Sequence, residues 1–200
     1  MHDIHQEFFD QLAREWDLHF TAEDLERLSN LVERLNVKPG MDILDLGCGT
    51  GILFDMLRRK VGKEGTVTGV DFSIEMARLA HRNFPFDNVN VVDADVINLP
   101  FKDSTFDMAV AFAAFPHFSD KQRALDEIHR VLKNDARFYI IHLESSKEVS
   151  EEHKRIGGAV AQDTIPTEEE MRQMFSRGRF TDLKIDDHPG LYLATAVNTK

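Results

Sequence analysis

With a single cysteine, Cys48, the chain cannot close an internal disulfide, and the position of that thiol between two glycines points to backbone geometry rather than redox chemistry. No apolar run approaches the roughly 20 residues that a membrane helix needs. The polar start Met1-His2-Asp3-Ile4-His5-Gln6 lacks the charged-then-apolar order of a secretory leader, so a cytoplasmic protein with no membrane association is expected. Basic residues are in the minority. The 24 Lys and Arg against 35 Asp and Glu give a net charge of -11, which opposes a nucleic-acid partner, because such partners are gripped by clustered cations. The nearest basic cluster, Arg58-Arg59-Lys60, falls at the end of an expected helix, where positive charge suits the helix dipole. Repeats and low-complexity tracts are also missing. What remains is 200 residues with 42% hydrophobic content, enough for one domain with a sizeable core and a small-molecule substrate.

The most informative stretch is Asp42-Ile43-Leu44-Asp45-Leu46-Gly47-Cys48-Gly49-Thr50-Gly51. It reads as a short apolar strand, a turn of alternating glycines and a helix starting near Ile52, which together form a cradle of bare amides at a helix start. The spacing is G-x-G-x-G rather than the G-x-G-x-x-G of dinucleotide sites, and Asp45 stands two positions before the first glycine. A pyrophosphate would be repelled by that carboxylate, whereas an ammonium or sulfonium would be attracted. Asp71 ends the apolar run Val67-Thr68-Gly69-Val70, where an acidic strand tip can accept both ribose hydroxyls. The pattern suits a cationic adenosine cofactor.

Asp45-Leu46-Gly47-Cys48-Gly49-Thr50-Gly51 followed by Gly69-Val70-Asp71-Phe72-Ser73 resembles the class I S-adenosylmethionine-dependent methyltransferases, most closely their small type-11, ubiquinone/menaquinone-biosynthesis-like branch. The resemblance is good from about Pro39 to Ile141 and slight from Ser145 to Pro166. It implies a Rossmann-like α/β fold, a doubly wound seven-stranded sheet that is mostly parallel with a C-terminal antiparallel hairpin. It implies S-adenosylmethionine as cofactor and S-adenosylhomocysteine as product. Asp95, five positions before Pro100-Phe101, matches the family residue that accepts from the adenine amino group, and Val96 would offer its amide; Asp93 is the competitor. Phe9-Asp10-Gln11-Leu12-Ala13-Arg14-Glu15-Trp16-Asp17 is similar to the family's closing helix, with Phe9 and Trp16 replacing two tyrosines. The cofactor-binding residues expected on this basis are Trp16, Asp45, Gly47, Cys48, Gly49, Thr50, Gly51, Asp71, Phe72, Met76, Asp95, Val96, Ala111 and Phe112. Phe112, Phe115, Phe118 and Trp16 would wall the methyl group.

Taken in order, residues 1–38 read as an N-terminal helical lid. Apolar steps of four from Ile4 to Trp16 predict one helix, and Thr21 caps a second over Ala22 to Leu35. Residues 39–144 form the cofactor core, with Ser73 capping one helix and Ser119-to-Gln122 opening another. In that core the strands are Val89–Val92, Phe106–Ala111 and Arg137–Ile141, the last preceded by a turn at Asn134-Asp135. Residues 145–166 fit no sheet element and read as a substrate-selecting insertion. Residues 167–200 add a helix capped at Thr167 and a hairpin turning at Pro189-Gly190.

Methyl transfer to a protic acceptor requires a base, and histidine suits neutral pH. His117 after strand four, where many relatives carry a histidine, His142 at the end of strand five and His153 in the insertion are the candidates, with Asp163 able to orient a base or bind an amine. No compact ligand spacing is present, so no metal is expected. The competing readings are a nicotinamide-dependent oxidoreductase, which Asp45 and the glycine spacing oppose, and a cofactor-binding sensor or partner subunit without catalysis.

Overall fold

A computed structural model describes residues 4–200. The apolar stretches become seven strands: β1 (Asp42–Leu46), β2 (Thr66–Asp71), β3 (Val89–Asp93), β4 (Phe106–Phe112), β5 (Leu132–His142), β6 (Phe180–His188) and β7 (Leu191–Asn198). They share one sheet in the order β3-β2-β1-β4-β5-β7-β6. β1 to β5 are parallel, and β7 runs antiparallel to β5 and β6. Parallel strands are covered on both faces. Accordingly β1 and β4 are buried almost throughout, whereas β6 is largely exposed. The two sides of the sheet carry separate apolar clusters, one around Leu44, Leu46, Phe138 and Ile140 and the other around Ile43, Val67, Val110 and Ile141.

Among the described residues seven α-helices complete the fold: α1 (Ile4–Leu12), α2 (Ala22–Arg34), α3 (Phe54–Val61), α4 (Ile74–Asn83), α5 (Lys121–Val131), α6 (Ser146–Ile156) and α7 (Glu168–Arg177). Thr21 and Thr167 form capping boxes with Asp24 and Glu170, and the Ser73 hydroxyl accepts from the Met76 amide at 3.2 Å. Among the described residues no helix is long and apolar enough to cross a membrane. The basic run at the end of α3 is neutralised locally, with Arg58 and Arg59 on Asp55 and Lys60 on Glu33.

Four local expectations are corrected. The N-terminal helix stops at Leu12 instead of reaching Trp16, and residues Trp16–His19 make a 3₁₀ turn. No helix breaker is present there; the chain bends because the Trp16 ring packs against Phe9 and Phe20 and Asp17 accepts from the Thr50 hydroxyl, so tertiary contacts override propagation. α3 starts at Phe54, two residues late, because Gly51 and Phe54 amides close successive turns onto Cys48 and Gly51 carbonyls. α5 is capped by Asp120, which accepts from the Arg123 amide at 3.0 Å, rather than by Ser119; the carboxylate is favoured by the positive helix end. β5 begins at Leu132, and the turn expected at Asn134-Asp135 is absorbed as an irregularity with Asp135 at φ 62°. Residues 145–166 carry no strand; they hold α6, opened by a Ser145–Glu148 capping box, and a 3₁₀ turn at Gly158–Val160.

Candidate cofactor site

Strand order reverses between β1 and β4, and the carboxyl ends of the parallel strands meet there in a cavity of about 900 Å³, counting the space open at its mouth. The glycine turn forms its floor. Gly47 and Cys48 amides both donate to the Val70 carbonyl, at 2.8 and 3.0 Å, which pins the turn to β2. Gly47 has φ 70°, and a Cβ there would lie 2.5 Å from that of Ala114 across the cavity wall, so only glycine fits.

Asp71 closes one side. Its Oδ2 accepts from the Gly49 amide at 2.8 Å and its Oδ1 from the Ser73 amide at 2.9 Å, leaving further lone pairs for a ligand. Burial pushes its pKa up to about 6, against the pull of the Ser73 and Gly49 amides, with Asp10 and Asp93 adding to the rise. Asp45 differs. It is 1% exposed and neither carboxylate oxygen has a hydrogen-bond partner among the described residues. Burial first, and the charge of Asp71 second, push its pKa up to about 8. The sequence treats Asp45 as a standing negative charge; the structure makes it a neutral acid until a cation sits beside it. Burial likewise raises the Cys48 thiol, which stays inert.

The N-terminal segment completes the lining. Trp16, Phe9, Phe20 and His5 line the cavity, and a Cβ at Gly49 would stand 3.3 Å from the Trp16 indole nitrogen. Gln6 donates to the Phe72 carbonyl at 2.9 Å, and Asp10 accepts from the Ser73 hydroxyl at 2.5 Å and the Glu75 amide at 3.2 Å. Sequence periodicity cannot reveal these polar ties, since they join residues more than 60 positions apart.

Of the residues expected to bind cofactor, Trp16, Asp45, Gly47, Cys48, Gly49, Asp71, Phe72, Met76, Asp95, Val96 and Phe112 line the cavity. Thr50, Gly51 and Ala111 do not: Thr50 is turned to Asp17, Gly51 lies against Phe54 and Phe84, and Ala111 is fully buried one residue before the wall. Asp95 makes an Asx turn with the Ile97 amide at 3.1 Å, while Asp93 is exposed. Phe118 joins the wall, but Phe115 is fully buried in the core. Ile52, Leu53, Ala94, Ala113, Ala114 and Ser119 are lining residues that the sequence did not single out, and Ala113 is held at φ 51°, a strained conformation at a cavity edge.

Of the three histidines, only His117 lines the cavity. Its Nδ1 is 2.7 Å from the Asp163 carboxylate and its ring is 4.8 Å from that of His153. His153 Nδ1 donates to the Asp163 carbonyl at 2.6 Å. His142 is buried behind the wall; burial above all, then the charges of His117 and His153, lower its pKa to about 3, and its Nε2 has no partner among the described residues. No group of three or more potential metal ligands is gathered among the described residues.

This sheet order is that of the Rossmann-like methyltransferase fold, with the glycine turn and the pair of acidic strand tips at the ends of its strands. Residues 44–140 match the family described as Methyltransferase domain. The chain is 43% identical over 108 residues to a 2-phytyl-1,4-naphtoquinone methyltransferase of Nostoc sp., covering 52% of this chain and 47% of that protein. The chain thus spans about half the length of that curated relative. Among solved structures it superposes with a TM-score of 0.79 and 23% identity on a Haloferax volcanii complex between the Trm112 methyltransferase activator and a methyltransferase, over 96% of this chain and 98% of that one. An S-adenosylmethionine-dependent methyltransferase from Aquifex aeolicus gives 0.69 and 22%, over the whole of both chains. The residues present fit the cofactor this family uses. A buried carboxyl with two unpartnered oxygens awaits a cation, and a second strand-tip carboxylate is preoriented by amides.

Asp71→Ala removes the carboxylate that accepts from the Gly49 and Ser73 amides and that is expected to meet the cofactor ribose. S-adenosylhomocysteine binding is expected to weaken by about 1–3 kcal/mol, up to a hundredfold. Calorimetric titration checks this, and an unchanged dissociation constant would remove Asp71 from the site.

Proposed function

We propose that the protein transfers the methyl group of S-adenosylmethionine to a small, flat acceptor whose hydroxyl proton must leave during the reaction, with His117 as the base. The observation that carries this reading is Asp45, an unpaired buried carboxyl that lines the same cavity as a histidine, His117. When bound, the cofactor supplies an electrophilic methyl on a sulfonium. Asp45 would face its cationic end, Asp71 its ribose, and Asp95 and Val96 its adenine. Phe9, Phe72, Phe112 and Phe118 surround the reacting region and exclude water, so alignment rather than covalent catalysis is the protein's task. The bound cofactor would supply the methyl that the acceptor oxygen or its adjacent ring carbon takes up, and His117 Nε2 would receive the hydroxyl proton. The aromatic lining and the naphthoquinone named for the Nostoc relative support a flat aromatic acceptor of the naphthoquinol type.

Calorimetry with S-adenosylhomocysteine against a nicotinamide dinucleotide, followed by a methyl-transfer assay with reduced 1,4-naphthoquinone as probe, tests the reading. Preference for the dinucleotide would overturn it. Tight cofactor binding without transfer to this probe or to other hydroxyaromatic probes would favour a sensor or partner subunit.

A further inference from the structure

Asp163 lies in residues 145–166, outside the matched methyltransferase segment, and its carboxylate joins parts of the chain that sequence keeps far apart. His117 Nδ1 approaches Oδ2 at 2.7 Å, and His5 Nε2, on α1, approaches both oxygens at 3.2 and 3.1 Å. His153, from α6, meets the same residue through its carbonyl. The Asp163 side chain is 14% exposed and that of His117 11%, so water competes little with either bond.

We propose that Asp163 is the positioning residue of the site: it holds His117 in the tautomer that presents Nε2 to the cavity and, through His5, couples that orientation to the seating of the N-terminal lid. The inference rests on the methyltransferase reading for its purpose, though not for its chemistry. An ionised carboxylate only accepts, so the proton of neutral His117 must sit on Nδ1. Nε2 is then the nitrogen with a lone pair to offer, on a ring that lines the cavity. A base held in the other tautomer would offer the acceptor a proton instead of taking one.

The charges support this assignment. Burial lowers the pKa of His117, against the pull of Asp163, while His153 and His5 lower it further. The imidazole is therefore neutral at pH 7. Burial pushes Asp163 upward, but the bonds and charges of His117 and then His5 outweigh it and hold the carboxyl below its ordinary value. Besides Asp163, the titratable groups facing His117 are His5 from α1, His153 from α6 and His142 from β5; Lys121 from α5 acts on Asp163. A lid that lifts takes His5 from Asp163 and leaves the carboxylate in contact with water, so the base is oriented only when the cavity is covered.

Nitrogen-15 imidazole NMR of the full chain saturated with S-adenosylhomocysteine tests this without an acceptor. The wild-type His117 is expected as the Nδ1–H tautomer. Asp163→Ala should convert it mainly to Nε2–H, and the milder Asp163→Asn, which keeps the volume but not the charge, should lower its titration midpoint. His5→Ala, which unties the lid from Asp163, should weaken the Nδ1–H preference of His117 and speed amide exchange along residues 4–12. A wild-type Nε2–H tautomer, or a tautomer and midpoint unmoved in both Asp163 variants, would overturn the proposal. Failure of S-adenosylhomocysteine to bind at all would instead overturn the functional reading, because the His117 tautomer of the unliganded protein still reports on Asp163.

Discussion

His117→Ala is expected to slow methyl transfer by about 10²–10⁴-fold, the range for loss of a positioned general base, while S-adenosylhomocysteine binds nearly as before. The separation follows from the geometry. Asp45, Asp71, Asp95 and Val96, proposed to meet the cofactor, line the cavity from the ends of β1 and β2 and the turn after β3, whereas His117 lines it from the loop after β4. The pH profile of the parent should show an acidic limb. His117 is protonated and inactive at low pH, and because burial lowers its pKa the limb should fall below the midpoint of an ordinary histidine. Single-turnover rates with reduced 1,4-naphthoquinone check both points. A variant that turns over at the parental rate would leave His117 as packing for Phe9, whose ring lies 5.0 Å away.

Cofactor affinity is expected to climb about fiftyfold between pH 6 and pH 8 and to level off above that. Asp45 is protonated in the unliganded protein below about pH 8 and must ionise to pair with a cation. Each pH unit below that value therefore costs about 1.36 kcal/mol, a factor of ten. At pH 7 close to one proton should be released per molecule of S-adenosylhomocysteine bound, which titrations in buffers of different ionisation enthalpy detect. Adenosine, which has no ammonium group, supplies the control: its affinity should be far less sensitive over the same range. A flat profile for S-adenosylhomocysteine would mean that Asp45 does not meet the charged end of the ligand.

The features that were legible in the sequence are those with local causes. Alternating glycines next to an apolar strand, capping side chains and the Pro189-Gly190 turn each act within a few residues, and the corresponding strands, caps and hairpin are in place. The same kind of signal, Ser145 three residues before Glu148, opens α6 within a stretch whose polar composition alone does not announce a helix. What could not be read depends on contacts with no local signature. The break after Leu12 answers to Asp17 meeting Thr50, 33 positions away, and the His5–Asp163 tie spans 158 positions. The charge state of Asp45 belongs to the same group, because its residue type fixes the chemistry while burial, a property of the whole fold, fixes the proton.

The sheet order has a bearing on how such a protein diversifies. On the proposed reading the donor is met from β1, β2 and the turn after β3 on one side of the reversal, while the other side is lined by the loop after β4, whose His117 is backed by Asp163 of residues 145–166. Mutations that reshape the second half leave the first undisturbed, so a lineage can explore new methyl recipients without relearning how to hold its methyl source.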